Sequence, residues 1–185
     1  MNNSGLEFVK KQLSKMEYKE IKSLEECEWK EFRVGELFVQ KRGKEAAPNQ
    51  NPDGNIPLIN ETTMNNGYTR EVVPTKVFLK NTLTVSINFA KNVFYQPFDY
   101  CASVNIVPLY SEKINEYIGL FIASELSRQN GLKYNYSYKQ SKERLEKQVI
   151  KLPIILSGEP DYEYMEQYVK NIMIEKLTEY LKFIE

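Results

Sequence analysis

Residues 29–110 form a succession of short β-rich runs with no helix-period stretch among them. FRVGELFVQKRGK, IPLIN, YTREVVP, KVFL, TLTVSIN, KNVFYQPFDY and ASVNIVPLY follow one another. Turn chemistry separates them, as at Asn51-Pro-Asp-Gly54 and Asn65-Asn-Gly67, because Asn and Gly tolerate positive φ. Strands that cluster instead of alternating with helices disfavour a doubly wound sheet. The expected class is α+β: one domain with a mixed, mostly antiparallel sheet, flanked by N- and C-terminal amphipathic helices. TLTVSI alternates hydroxyl and apolar residues, the period of a half-buried strand.

Helical signals bracket this β region. The pattern predicts a helix over residues 4–22, where Ser4 and Glu7 have capping-box spacing and Phe8 or Val9, Leu13, Met16 and Ile21 make a loose apolar stripe. A second helix is expected over 112–130, capped by Ser111 and closed by Gly131, with Ile114, Ile118, Phe121, Ile122 and Leu126 on one face. Ser141 can cap a short helix through Leu145. QVIKLPII then reads as a closing strand in which Pro153 argues against a central ladder position. Residues 161–184 predict a terminal helix of about 36 Å. Its apolar face, including Tyr168, Ile172, Leu177 and Leu181, is broader than a lone surface helix needs. The expected organisation is an N-terminal helical segment over 1–27, a central domain over 28–157 and a C-terminal helix over 158–185.

Composition excludes several classes. A chain of 185 residues is long enough to bury its own core without disulfides or metals. No run of about 18 apolar residues is present, so no membrane span is expected. The N-terminus lacks an apolar signal core, and the two thiols, Cys27 and Cys101, suit a reducing cytosol, so a cytoplasmic location is expected. Histidine is absent. That removes the Ser-His-Asp triad, the Cys-His dyad and the zinc-binding HExxH helix. No Gly-rich phosphate loop is found either. No catalytic residue, metal site or cofactor is therefore assigned to this chain.

The net charge is zero, yet the signs are segregated. Residues 32–151 carry sixteen basic and eleven acidic side chains, while residues 152–185 carry three basic and seven acidic. A basic centre between acidic flanks suits a polyanion surface, although Glu-rich solvated end helices would give the same totals.

Three features could contact nucleic acid. Lys41, Arg42 and Lys44 surround Gly43, a grouping suited to phosphate contact, and a charged loop tip would look the same. Residues 128–151 hold seven cations against two acids, including Lys139, Lys142 and Arg144. Tyr134, Tyr136 and Tyr138 alternate there with Asn135, Ser137 and Lys139, hydroxyl, amide and ammonium groups that meet phosphates and base edges. Alternating tyrosines can equally be core packing with hydroxyls at the rim. The loop containing Asn60, Thr62, Thr63, Asn65 and Asn66 offers amides and hydroxyls able to read bases, or a wet turn.

The order of landmarks resembles a target recognition domain of type I restriction-modification specificity subunits. The matching pieces are Trp29-Lys-Glu-Phe32, Gly35-Glu-Leu-Phe38, Lys41-Arg-Gly-Lys44, Ile56-Pro-Leu-Ile59, the Asn-Asn-Gly at 65–67 and Leu83-Thr-Val-Ser86. Val93-Phe-Tyr-Gln96, Phe98-Asp-Tyr100, Lys133-Tyr134, Ile150-Lys-Leu-Pro153 and Pro160-Asp-Tyr-Glu-Tyr-Met165 continue it over about four fifths of the chain. The resemblance implies a non-catalytic subunit that reads double-stranded DNA for an adenine methyltransferase, the partner that uses S-adenosylmethionine, with a restriction subunit as an optional addition. A full subunit of that family has two recognition domains joined by two long antiparallel helices. This sequence contains one such domain and a short terminal helix, so it resembles a half-subunit. Such a half-subunit either pairs with itself or another chain or is a truncated or fused-system relative; a homodimer paired through residues 4–22 and 161–184 is expected, with Tyr168, Ile172, Leu177 and Leu181 at the contact.

Two other readings stay open on the sequence: a protein-interaction or decoy module that keeps the fold without reading DNA, and a carboxylate enzyme. The salt dependence of duplex binding separates the first reading from both, and a labelled methyl-donor assay tests the last.

Overall fold

The computed structural model describes residues 3–133 and 140–184. Its architecture is α+β, as expected, with strands paired antiparallel except at one place. Strand β1 (Trp29–Arg33) pairs antiparallel with β9 (Val149–Pro153), so the two ends of the central domain close on each other. Pro153 is the last residue of that two-stranded ladder, where its missing N–H costs nothing. A four-stranded antiparallel sheet has the order β2 (Val39–Gln40), β8 (Ile106–Tyr110), β5 (Thr82–Ser86), β6 (Val93–Gln96). A three-stranded sheet runs β4 (Tyr68–Val72), β3 (Asp53–Ile59), β7 (Cys101–Ala102), and β3 and β7 form the parallel pair. The KVFL run, expected as a strand, contributes a single bridge between Phe78 and Tyr100.

Strand β5 is buried on both faces, not half-buried. Leu83 and Val85 join the main core with Phe121, Ile122 and Leu126 of helix α3 (Glu116–Lys133). The opposite face carries the hydroxyls, and each finds a partner: Thr82 with the Tyr100 hydroxyl at 2.8 Å, Thr84 with the Gln96 amide at 2.9 Å, Ser86 with the Glu61 carboxylate at 3.2 Å. Satisfied hydroxyls can be buried, so polar alternation did not mean a wet face.

Three helix boundaries differ from expectation. α3 starts at Glu116, because the Asn115 side chain accepts the Ile118 N–H at 3.0 Å and caps the helix in place of Ser111. It continues through Gly131 to Lys133 instead of ending there. The N-terminal helix α1 covers Asn3–Leu13, not 4–22. Beyond it, residues 16–23 are not helical and lie along α5 (Tyr162–Ile184). Gln167 donates to the Glu17 carbonyl at 2.8 Å, Asn171 bonds both backbone groups of Lys19, and the Tyr164 hydroxyl donates to the Lys22 carbonyl at 3.0 Å. These tertiary bonds replace the helical ladder that propensity favoured.

A one-turn helix inside the run FRVGELFVQKRGK departs from its β-rich reading, whereas the two C-terminal helices follow the sequence. The short α2 (Val34–Leu37) bridges β1 and β2. α4 (Lys142–Lys147) is capped by Ser141, whose hydroxyl accepts the Arg144 N–H at 3.2 Å. α5 is capped by Asp161, which accepts the Tyr164 N–H at 3.0 Å. Among the described residues, no helix is long and apolar enough to cross a membrane.

Candidate nucleic-acid interface

One end of the four-stranded sheet gathers the chemistry. Register fixes which loops meet there: Ser86 lies opposite Ile106, Val85 opposite Val93, and the exit from β2 continues along β8 through Lys41 N–H to Pro108 and Gly43 N–H to Ile106. Loops 41–45, 87–92 and 103–105 therefore open on the same edge. Gly43 is required here by close approach, since a Cβ would collide with the carbonyl oxygens of Ala102 and Ser103. Its role is to thread the backbone, leaving Lys41, Arg42 and Lys44 exposed around it.

The polar loop 60–66 joins this edge through Glu61. The Glu61 carboxylate accepts from Ser86 Oγ at 3.2 Å, Asn88 N–H at 3.3 Å and Asn105 Nδ2 at 2.9 Å. Asn92 Nδ2 donates to the Thr62 carbonyl at 3.4 Å. One carboxylate thus clasps three loops. Asn65, Asn66 and Gly67 take the left-handed backbone that the turn requires, with φ of 51°, 55° and 81°. The Asn66 amide turns inward to donate to the Tyr95 carbonyl at 3.2 Å, while Thr63 and Asn65 are exposed. The Asn60 N–H closes the loop on the Gly67 carbonyl at 2.8 Å, and Thr62 Oγ1 accepts the Met64 N–H at 3.2 Å.

The second basic feature reaches the same edge through α4. The Gln40 side-chain amide, with its nitrogen toward α4, donates to the Lys142 carbonyl at 3.1 Å and accepts the Glu146 N–H at 3.0 Å. Glu143 shows the proximity of the two clusters electrostatically. Its carboxyl is held below the usual carboxylate range by its own backbone N–H and the Ser141 hydroxyl, with smaller help from Lys142 and Arg42. The structure thus brings Lys41 and Arg42 together with the helix bearing Lys142 and Arg144, two groups a hundred residues apart. Arg128 is spent locally, on Glu125 at 2.7 Å, and Lys151 lies 3.9 Å from Glu31. Tyr136, Tyr138 and Lys139 fall outside the described residues.

Both flanks of that segment are anchored. The Gln140 amide donates to Gln148 Oε1 at 2.7 Å, Gln148 donates to Asn130 Oδ1 at 2.5 Å, and Asn130 donates to the Ala90 carbonyl at 2.6 Å, all buried. This amide chain ties α3 and the residue that caps the end of α4 to loop 87–92. Lys91, in that loop, was missed in the sequence because it sits inside a run that reads as strand.

The other end of the sheet has the opposite character. A groove of about 760 Å³ between β1, α2 and the start of α5 is lined by Glu31, Glu36, Glu112 and Glu159 against Lys30 and Lys113. Among the described residues, no three His, Cys, Asp or Glu side chains gather as metal ligands. The Cys101 thiol is pushed up to about 12, by burial and then by the nearby Glu45 carboxylate, so it is no nucleophile.

A family model for the type I restriction modification DNA specificity domain matches residues 26–182. The chain belongs to that family. The specificity domain is 33% identical over 168 residues to the type II restriction enzyme specificity subunit S.BcgI of Heyndrickxia coagulans, covering 86% of this chain and 49% of that protein. Its fold is that of the HsdS subunit from Thermoanaerobacter tengcongensis, with a TM-score of 0.56 at 15% identity over 96% of this chain and 46% of the other. The S subunit of a type I system from M. genitalium gives 0.57 at 18% identity, over 95% and 48%. The chain spans about half the length of the relatives it matches.

On α5, Tyr168 turns toward the domain, edge-on to Phe121 at 5.7 Å and stacked on Tyr164 at 6.0 Å. Ile172 is exposed, as are Tyr180 and Phe183, while Leu177 and Leu181 are partly covered.

Proposed function

We propose that this specificity domain reads double-stranded DNA through the basic loop edge and directs an adenine methyltransferase to its site, without catalysing the transfer itself. The observation that carries the reading is the convergence of Lys41, Arg42 and Lys44 with Lys142 and Arg144 beside the clasped loops. Exposed cations suit phosphates, and polar loops projecting from a rigid sheet edge suit base edges. Residues 28–157 are the reading unit, with Asn60, Thr62, Thr63, Asn65, Tyr136, Tyr138 and Lys139 as further contacts. A restriction subunit is an optional partner, and the methyl donor belongs to the methyltransferase.

The test is duplex binding across a salt series. Removing one cation that meets a phosphate should flatten the slope of log affinity against log salt by about one. The Lys41→Ala, Arg42→Ala, Lys142→Ala triple variant should bind all sequences more weakly with a slope shallower by up to about three. Unchanged affinity and slope would overturn the placement. Methylation should require the partner enzyme, and robust transfer by the isolated chain would count against the whole reading.

We further propose that two copies pair through α1 and α5, reading the two halves of an interrupted palindrome. The exposed apolar residues along the outer part of α5 support this.

A further inference from the structure

The loop edge also exposes three large apolar side chains. Met64 is 67% exposed, Phe89 46% and Val104 43%. They come from three different loops, and each sits beside a group tied to the Glu61 clasp. Phe89 follows Asn88, whose N–H reaches Glu61, and its own N–H donates to Ser86 Oγ at 3.0 Å. Val104 precedes Asn105, whose amide reaches Glu61, and its N–H donates to the Glu45 carbonyl at 3.1 Å. Met64 lies three residues beyond Glu61, where its carbonyl accepts the Gly67 N–H at 2.9 Å. The backbones that carry these side chains are therefore fixed, not loose loop tips. Apolar side chains from three loops held at one edge make a candidate contact surface.

The neighbours decide what such a surface meets. Lys41, Arg42, Lys44 and Lys91 are exposed on the same edge, while the acids of loops 41–45 and 60–66 are engaged: Glu45 is buried on the N–H groups of Thr75 and Lys76, and Glu61 holds the clasp. Apolar groups framed by cations fit a polyanion that also displays methyl groups. Duplex DNA does so in the major groove, where thymine carries a C5-methyl that no other base pair presents.

Resting on the DNA reading proposed above, we infer that Met64, Phe89 and Val104 form an apolar reading surface for thymine methyl groups, held in place by Glu61. Cations position the duplex, and this surface discriminates thymine from cytosine.

The experiment separates the two levels. Duplexes are selected from a random pool with the full chain, and each thymine of the selected site is then replaced by deoxyuridine, which removes only the methyl. At least one position should lose about fourfold in affinity, the value of one buried methyl group at ~0.8 kcal/mol. That loss should vanish in Phe89→Ala or Met64→Ala, and the variants should keep the wild-type salt slope and melting temperature. Glu61→Gln should weaken discrimination at the same positions. A selected site without thymine, no deoxyuridine effect, or an effect unchanged in Met64→Ala, Phe89→Ala and Val104→Ala would each overturn the inference and leave DNA reading intact. No duplex binding at all would remove the DNA reading and this inference with it.

Discussion

Asn171 pairs with Lys19 as one peptide unit pairs with another: its amide nitrogen donates to the Lys19 carbonyl at 2.7 Å, and its amide oxygen accepts the Lys19 N–H at 3.3 Å. Gln167 donates to Asn171 Oδ1 at 2.8 Å and to the Glu17 carbonyl at 2.8 Å, so one row of amides on α5 holds a strap of extended chain. Asn171→Ala removes both bonds to Lys19. The bonds are exposed, so about 1–2 kcal/mol of local stability is at stake. Hydrogen exchange should show the amide of Lys19 losing protection while the sheet amides keep theirs. Equal protection in the variant would mean that the strap is held by something else.

The buried amide chain from Gln140 through Gln148 and Asn130 to Ala90 makes a second prediction. Gln148→Ala leaves the Asn130 oxygen and the Gln140 nitrogen without their partners in the interior. The cost should be about 2 kcal/mol, or roughly 4–8 °C in melting temperature for a chain of this size. Thermal denaturation followed by circular dichroism measures it.

Gly43 separates structure from binding. Gly43→Ala drives a methyl into the carbonyls of Ala102 and Ser103, so it should cost about 1–3 kcal/mol or more in chemical denaturation. Arg42→Ala, one residue away on an exposed side chain, should leave stability within about 0.5 kcal/mol and weaken duplex binding. If the two variants reduced binding and stability in the same proportion, the loop would be structural throughout.

Much of this was legible in the sequence, for identifiable reasons. Turn residues with few conformational options marked the strand breaks, and Ser141 and the run from Asp161 announced their helices. The four-stranded order could not be read, because strand pairing is set by long-range contact. The helix expected over 4–22 stops at Leu13, and the partners that hold the chain beyond it could not be read locally, since Asn171 lies 152 residues from Lys19. Lys41 and Lys142 were both singled out, but only Gln40 bridging to α4 puts them on one edge. Phe89 and Val104 were invisible because they look like core residues in a β-rich run, and exposure is a property of the folded chain.

Glu166 links α3 to α5 in a pH-dependent way. Burial alone would raise its carboxyl, but hydrogen bonds from Lys170 and from the Asn115 amide, each at 2.5 Å, hold it net below the usual carboxylate range. A carboxyl depressed in the folded state stabilises above its unfolded pKa of about 4.3, and that contribution is lost as pH falls through the folded value. Melting temperature should therefore fall more steeply below about pH 4 in the wild type than in Glu166→Gln, whose amide does not titrate. Parallel curves would mean that the carboxyl contributes nothing.

The assembly prediction follows from α5. Only its first turn is buried, with Tyr164 and Met165 in the interior, and Tyr168 packs on Phe121. From Ile172 onward the helix alternates half-buried and exposed positions, α1 of the same chain lies against α5, and Tyr180 and Phe183 face solvent. One domain reading a few base pairs, at roughly 1–3 kcal/mol each, discriminates poorly against a genome, and two copies on a two-fold axis double the discrimination. The helix would then act as the ruler between half-sites. A length change must avoid Asn171, because an insertion there also releases the strap from Lys19. Seven residues of helical sequence inserted between Leu177 and Thr178 add about 10.5 Å, two turns that preserve the face. At about 3.4 Å per base pair the gap should widen by roughly three base pairs or more, with each half-site unchanged. Mapping methylated sites with the partner methyltransferase reads this directly. A monomer by light scattering, both free and with the methyltransferase bound, together with methylation of an uninterrupted asymmetric site, would refute the pairing.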